Sequence, residues 1–226
     1  MAGTRDRSRR EGIASACVAA MLSAGSMHSG ATLASDSLRF QMAWEGQSIE
    51  NVRTGQRMTF VELSEEALRI DTVNPPTAEH EPAHVHPVQE SGAEVISGSL
   101  VFEVAGNERR LGPGETIQVP ANTPHRFWND GTEDAHSIQW LRPALDIASF
   151  FETFAVLAER KQIDKRGMPK PMQLAVMVSE FSQEIRPISP PWPVVRALGA
   201  MLGPIARRRG YRPRLSASQD VAPSSH

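Results

Sequence analysis

Residues 83–86 read Ala-His-Val-His, and residues 114–129 read Gly-Glu-Thr-Ile-Gln-Val-Pro-Ala-Asn-Thr-Pro-His-Arg-Phe-Trp-Asn. Alternate residues of a strand share a face, so His84 and His86 point the same way and can share one cation. His125 enters a strand of its own just past a Pro-containing turn, and a barrel would bring that strand opposite the first pair. The surrounding sequence is β in texture: short runs rich in Val, Ile, Phe and Thr alternate with turn signals. Strands are predicted at Phe40–Trp44, Arg57–Leu63, Leu68–Val73, Ala83–His86, Glu94–Ile96, Leu100–Val104, Thr116–Val119, His125–Trp128 and Ser137–Leu141. Gly106-Asn107 suits a hairpin turn, and Pro113-Gly114 fits the centre of a type II turn. Closely spaced strands with such turns indicate an all-β sandwich or barrel.

Beyond Pro143 the period changes. Ile147, Phe150, Phe151, Phe154, Val156 and Leu157 recur at helical spacing. A second apolar-periodic segment runs from Met172 to Ile185, and a Pro-rich break at Pro187, Pro190, Pro191 and Pro193 follows. A third, Val194–Arg209, is apolar and then basic, with Arg207, Arg208 and Arg209 favourably placed at a helix C-terminus. From Arg186 to Arg214 there are seven Arg and no Asp or Glu. Such a helix could lie on an anionic membrane surface. The simpler reading packs it on the barrel, or across a homodimer, with its Arg end solvated.

The whole chain of 226 residues, with 40% hydrophobic and 22% charged residues, has the composition of an ordinary soluble globular protein. A net charge of −2 gives no basic field for nucleic acid, and there is no helix-turn-helix signal. The single cysteine, Cys17, excludes a disulfide framework and a thiolate-rich metal site, which leaves histidine as the ligand type to look for. Residues 1–34 have a basic start, a short apolar run at 13–25 and Ala34 as a candidate cleavage residue, the outline of a signal peptide. The cleavage signal is poor, because Thr32 stands where a small apolar residue is wanted. Residues 1–36 are therefore expected to be a disordered extension and the protein cytoplasmic, with secretion the alternative if residues 1–34 act as a signal. The expected division is 1–36, a barrel at 37–145, a helical appendage at 146–215 and a disordered tail at 216–226.

The pair of histidine stretches resembles the cupin motif pair. The second matches at Gly114, Pro120, His125 and Asn129, with Asn122 where the family usually has Gly. His84–Gly98 followed by Leu100–Val104 resembles the first motif and its strand. The fuller pattern, with Pro143-Ala144, the FFETF helix and the GYRPR around Tyr211, resembles a group of bacterial single-domain cupins. The resemblance implies a double-stranded β-helix (jelly-roll) barrel with C-terminal helices outside it. It also implies one divalent metal, Fe, Mn, Ni or Zn, held by His84, His86 and His125, whose ring nitrogens would lie roughly 3–4 Å apart. Without it, the three would be surface or turn histidines at accidental spacing.

The carboxylate departs from the family. Its position, five residues after the second His, is Ser91 here, and Glu90 is one residue early. A one-residue shift turns a strand side chain to the other face, so Glu90 ligates only if a bulge at Gly92 absorbs the offset. Otherwise Glu90, like Gln89, is a rim or outer-shell group. Ser91, Gly92 and Ala93 together predict a roomy pocket. Phe102, Val119, Phe127, Trp128 and Trp140 are expected in its wall or in the core, with His80 and His136 at the surface. Two functional classes stay open: a mononuclear metal enzyme on a small apolar substrate, an Fe-dependent oxygenase first and an isomerase second, or a non-catalytic ligand-binding or assembly module.

Overall fold

The computed structural model describes residues 43–216. The expectations for residues 1–36 and for 217–226 lie outside these residues, whereas Ser216, expected in the disordered tail, is buried and bonded to Glu152. The fold is mainly β, a jelly roll of two antiparallel sheets with three helices following. The strands are β1 (Ser48–Asn51), β2 (Gln56–Leu63), β3 (Leu68–Asn74), β4 (His84–Val85), β5 (Glu90–Ser97), β6 (Leu100–Val104), β7 (Asn107–Leu111), β8 (Thr116–Val119), β9 (His125–Trp128), β10 (Ala135–Arg142) and β11 (Arg186–Pro187). The helices are α1 (Ile147–Glu159), α2 (Pro171–Glu180) and α3 (Trp192–Arg208). One sheet is ordered β1-β2-β3-β10-β5-β8 and the other β11-β4-β9-β6-β7.

Strict alternation drives the larger sheet. Met58 and Phe60 of β2 and Leu68 and Ile70 of β3 turn inward, and their neighbours face out. They form a core with Leu141, Ala144, Ile147 and Ala148, so the first turn of α1 belongs to the barrel core. Inward polar residues satisfy one another: the Thr72 and Ser137 hydroxyls lie 2.7 Å apart, and Asn74 Nδ2 donates to the Ala135 carbonyl. A second core of Ala93, Val95, Leu100, Phe102 and Leu111 joins the two sheets.

Three strands escaped the sequence reading. The segment Asn107–Leu111 reads NERRL and leaves four residues exposed, so this edge strand has no hydrophobic alternation to detect. Its hairpin is centred one residue earlier than expected: Ala105 (φ +50°) and Gly106 (φ +79°) take the two left-handed positions, closed by the Val104–Asn107 pair. The short β1 is an edge strand, and β11 is a two-residue strand within the Pro-rich break. Conversely, the strand expected at Phe40–Trp44 is not found in its described part, where Ala43 and Trp44 lead into a turn. The second helix stops at Glu180 rather than Ile185.

Gly98, which ends β5, has φ +71°, and a Cβ there would sit 2.8 Å from the Ala135 backbone. The motif glycine is thus required twice over, by its left-handed conformation and by the close approach of β10. No helix among the described residues is long and apolar enough to cross a membrane.

Candidate metal centre

Strand pairing assembles the three histidines. His84 of β4 lies directly across from His125 of β9, and His86 follows β4 by the two-residue step. Ring centroids are 4.6 Å apart for His84–His125, 5.0 Å for His84–His86 and 5.2 Å for His86–His125. One ligand atom from each lies within 4.8 Å of the other two. That bound compares with the roughly 3–4 Å expected for three ligands on one ion.

Backbone hydrogen bonds fix the chemistry of the rings. His84 Nδ1 donates to the Pro82 carbonyl at 3.0 Å, His86 Nδ1 to that of Glu184 at 2.6 Å, and His125 Nδ1 to that of Thr123 at 2.9 Å. A carbonyl only accepts, so each ring carries its proton on Nδ1 and leaves the Nε2 lone pair free. Burial pushes all three imidazoles below their ordinary range, His86 to about 3 and His125 to about 4, with repulsion from neighbouring rings adding to the shift for those two. At neutral pH the cluster is therefore uncharged and bears three unprotonated donors. Imidazole donors suit Zn, Ni, Cu, Fe and Mn, so this donor set fits a divalent transition ion.

The second motif's remaining residues shape the scaffold. Asn129 is buried and staples its turn: its Nδ2 donates to the Asn74 and Glu133 carbonyls, and its Oδ1 accepts from Gly131 N–H. Asn122 has φ +59°, a conformation that Asn tolerates, and its N–H donates to the His86 carbonyl. That bond ties the second motif to the first.

Ser91 is buried, pairs with Val119 and Leu141 across the sheet, and lines the cavity beside the histidines. Glu90 is half-buried, pairs with Arg142 and is not among the cavity-lining residues or the histidine group. Gln89 is fully buried, and its amide donates to the Pro143 and Ala144 carbonyls, a structural tie at the entry to α1. His80 is half-buried and stacks on Trp128 at 4.4 Å, and His136 faces Asp71 at 3.0 Å.

The cavity holds about 530 Å³ and runs from the barrel interior to the C-terminal helices. Phe102, Val119 and Phe127 line its barrel end, and Phe154, Leu174 and Leu202 its helical end. Gly92 stays small because the Trp140 indole packs where its side chain would be. Two amide nitrogens in the cavity lining, Gln139 Nε2 and Gln56 Nε2, are buried without a hydrogen-bond partner. Gln139 was missed by motif reading, yet its inward parity with Ser137 and Leu141 marks it.

Residues 72–140 match the cupin domain family. That segment is a cupin domain. It contains all three histidines and both motifs. No curated protein matches the chain. Among solved structures this chain is similar to TT1209 from Thermus thermophilus, at 25% identity over 39% of this chain and 84% of that one, TM-score 0.37. It is similar to KdgF from Halomonas sp., at 22% identity over 45% and 92%, TM-score 0.41. An RmlC-like cupin from Shewanella frigidimarina shares 20% identity over 47% and 93%, TM-score 0.40. More than half of this chain lies outside each of these three matches.

Proposed function

We propose that this cupin is a metal-dependent enzyme whose ion is held by His84, His86 and His125 and whose substrate is a small, mostly apolar molecule. The observation that carries the reading is the commitment of all three Nδ1 protons to backbone carbonyls, which leaves three neutral Nε2 donors in an apolar cavity. A divalent ion held there would supply a Lewis-acid centre with coordination positions left for substrate and, in the case of iron, for O2. The protein's own part is to hold the rings, exclude water with the aromatic wall and orient the ligand. Gln139 Nε2 and Gln56 Nε2 are available donors for a carbonyl or hydroxyl oxygen of that ligand. Fe-dependent oxygenation is the first reaction to test, and metal-assisted isomerisation the second.

Ser91 at the family's carboxylate position favours a second reading, a non-catalytic ligand-binding module. Metal content separates the two. Protein purified without added metal or chelator should carry about one transition ion per chain, and the His84→Ala/His86→Ala variant almost none. A metal-free wild type that also takes up no added Fe, Mn, Ni or Zn would leave the binding-module reading standing.

A further inference from the structure

We infer that α3 is a docking helix for an anionic lipid surface, a role independent of the metal centre. The helix has an apolar line that the rest of the described residues leave uncovered. Its small residues, Gly199, Gly203 and Ala206, are the buried ones. A Cβ on Gly199 would meet Val178 at 3.3 Å and the Ala175 carbonyl at 3.6 Å, so α2 packs close on this face. Trp192, Val195 and Leu202 turn toward the cavity, and Leu198 borders it, but a further set of large apolar residues is left exposed. Val194, Leu198, Met201 and Ile205 are 49%, 45%, 60% and 42% exposed. Steps of four, three and four residues place them in one line along the helix. A helix packed only on its own protein would carry polar residues there.

Charge identifies what covers the line. Arg196, Arg208, Arg209 and Arg212 are exposed, and among the described residues none has an acidic partner. Arg207 reaches Glu180 at 3.8 Å. No Asp or Glu occurs between Arg186 and Arg214. A second copy of the same helix would set arginine near arginine with no carboxylate to answer it. An anionic bilayer interface answers both features, taking the apolar line into the acyl boundary and pairing the arginines with lipid phosphates. The helix is about 25 Å long by its 17 residues and lies along the interface rather than across it.

The test uses the full chain in a Cys17→Ser background, with Met201→Cys labelled by an environment-sensitive fluorophore. The probes are vesicles of phosphatidylcholine alone and of equimolar phosphatidylcholine and phosphatidylglycerol. The label should shift to the blue, and the protein cosediment, with the anionic vesicles only, and about 0.5 M salt should weaken both. Arg208→Ala/Arg209→Ala should lower the partition coefficient about thirtyfold. Ile205→Glu should lower it more than tenfold with an unchanged melting temperature. A label that stays put while the chain cosediments would assign binding to another segment and overturn the inference. A label already shifted without vesicles would also overturn it: with a dimer mass a second copy covers the line, and with a monomer mass the rest of this chain does. Equal binding to phosphatidylcholine alone, or none to either vesicle, would refute the lipid assignment.

Discussion

At the residue scale the site is a matter of who holds each ring and where each proton sits. His125→Ala should abolish metal binding, since the two remaining rings hold an ion loosely, whereas Glu90→Gln should leave stoichiometry unchanged in the same metal titration. An outer-shell carboxylate tunes affinity by about 10–100-fold at most. Ser91→Glu restores an anionic oxygen at a position that lines the cavity and should tighten Mn and Fe binding. The low imidazole pKa values carry a pH signature. The unfolded chain protonates these rings below about pH 6.5, while in the folded protein His86 and His125 stay neutral until the pH nears about 4. Apo stability therefore falls as the pH drops through that window. A His86→Gln/His125→Gln variant should show a shallower decline in melting temperature between pH 6.5 and 4, and equal slopes would contradict the burial of these rings. The spacing of His84, His86 and His125 was legible in the sequence because strand parity turns a two-residue step into a shared face. The Nδ1 partner of His86 was not, because it is a main-chain carbonyl 98 residues away, and any residue type could supply it.

At the element scale, strands with inward alternation were readable to within a residue or two, as in β6, β8 and β9. The charged β7 and the two-residue β11 were not, since their places are set by neighbours rather than by their own pattern. The structure makes β11 matter. Arg186–Pro187 pairs with His84–Val85, and Ile188 N–H donates to the Ala83 carbonyl, so the Pro-rich break closes the ligand-bearing sheet. Two glycines give a contrasting prediction. In Gly92→Ala the new methyl would collide with the Trp140 indole and lie 2.6 Å from the Ile117 carbonyl, which should destabilise the protein by about 1–3 kcal/mol. In Gly203→Ala the methyl meets only the Ala175 carbonyl at 3.6 Å, and helix propensity should make the change neutral or stabilising by up to about 1 kcal/mol. Urea denaturation of the pair reads both signs.

At the scale of the whole molecule, we propose that the barrel and the helical segment form one folding unit rather than a barrel with an optional appendage. The barrel core includes Ile147 and Ala148, β11 completes a sheet, and the Glu184 carbonyl orients His86. Past α3, Arg214 binds Asp146 at 2.8 Å and Glu180 at 3.1 Å, and Ser216 Oγ donates to Glu152 of α1 at 3.0 Å. A chain shortened after residue 145 should therefore lose its cooperative thermal transition by circular dichroism. Retention of a sharp transition near the full-length midpoint would show instead that the barrel stands alone. The most direct measurement of the central claim is an anomalous diffraction map at the absorption edge of the co-purified metal. The account predicts one peak, about 2.1 Å from Nε2 of His84, His86 and His125 and out of bonding reach of Glu90. A peak bonded to Glu90, or to any Nδ1 of the three, or no peak after soaking with Fe, Mn, Ni and Zn, would contradict it.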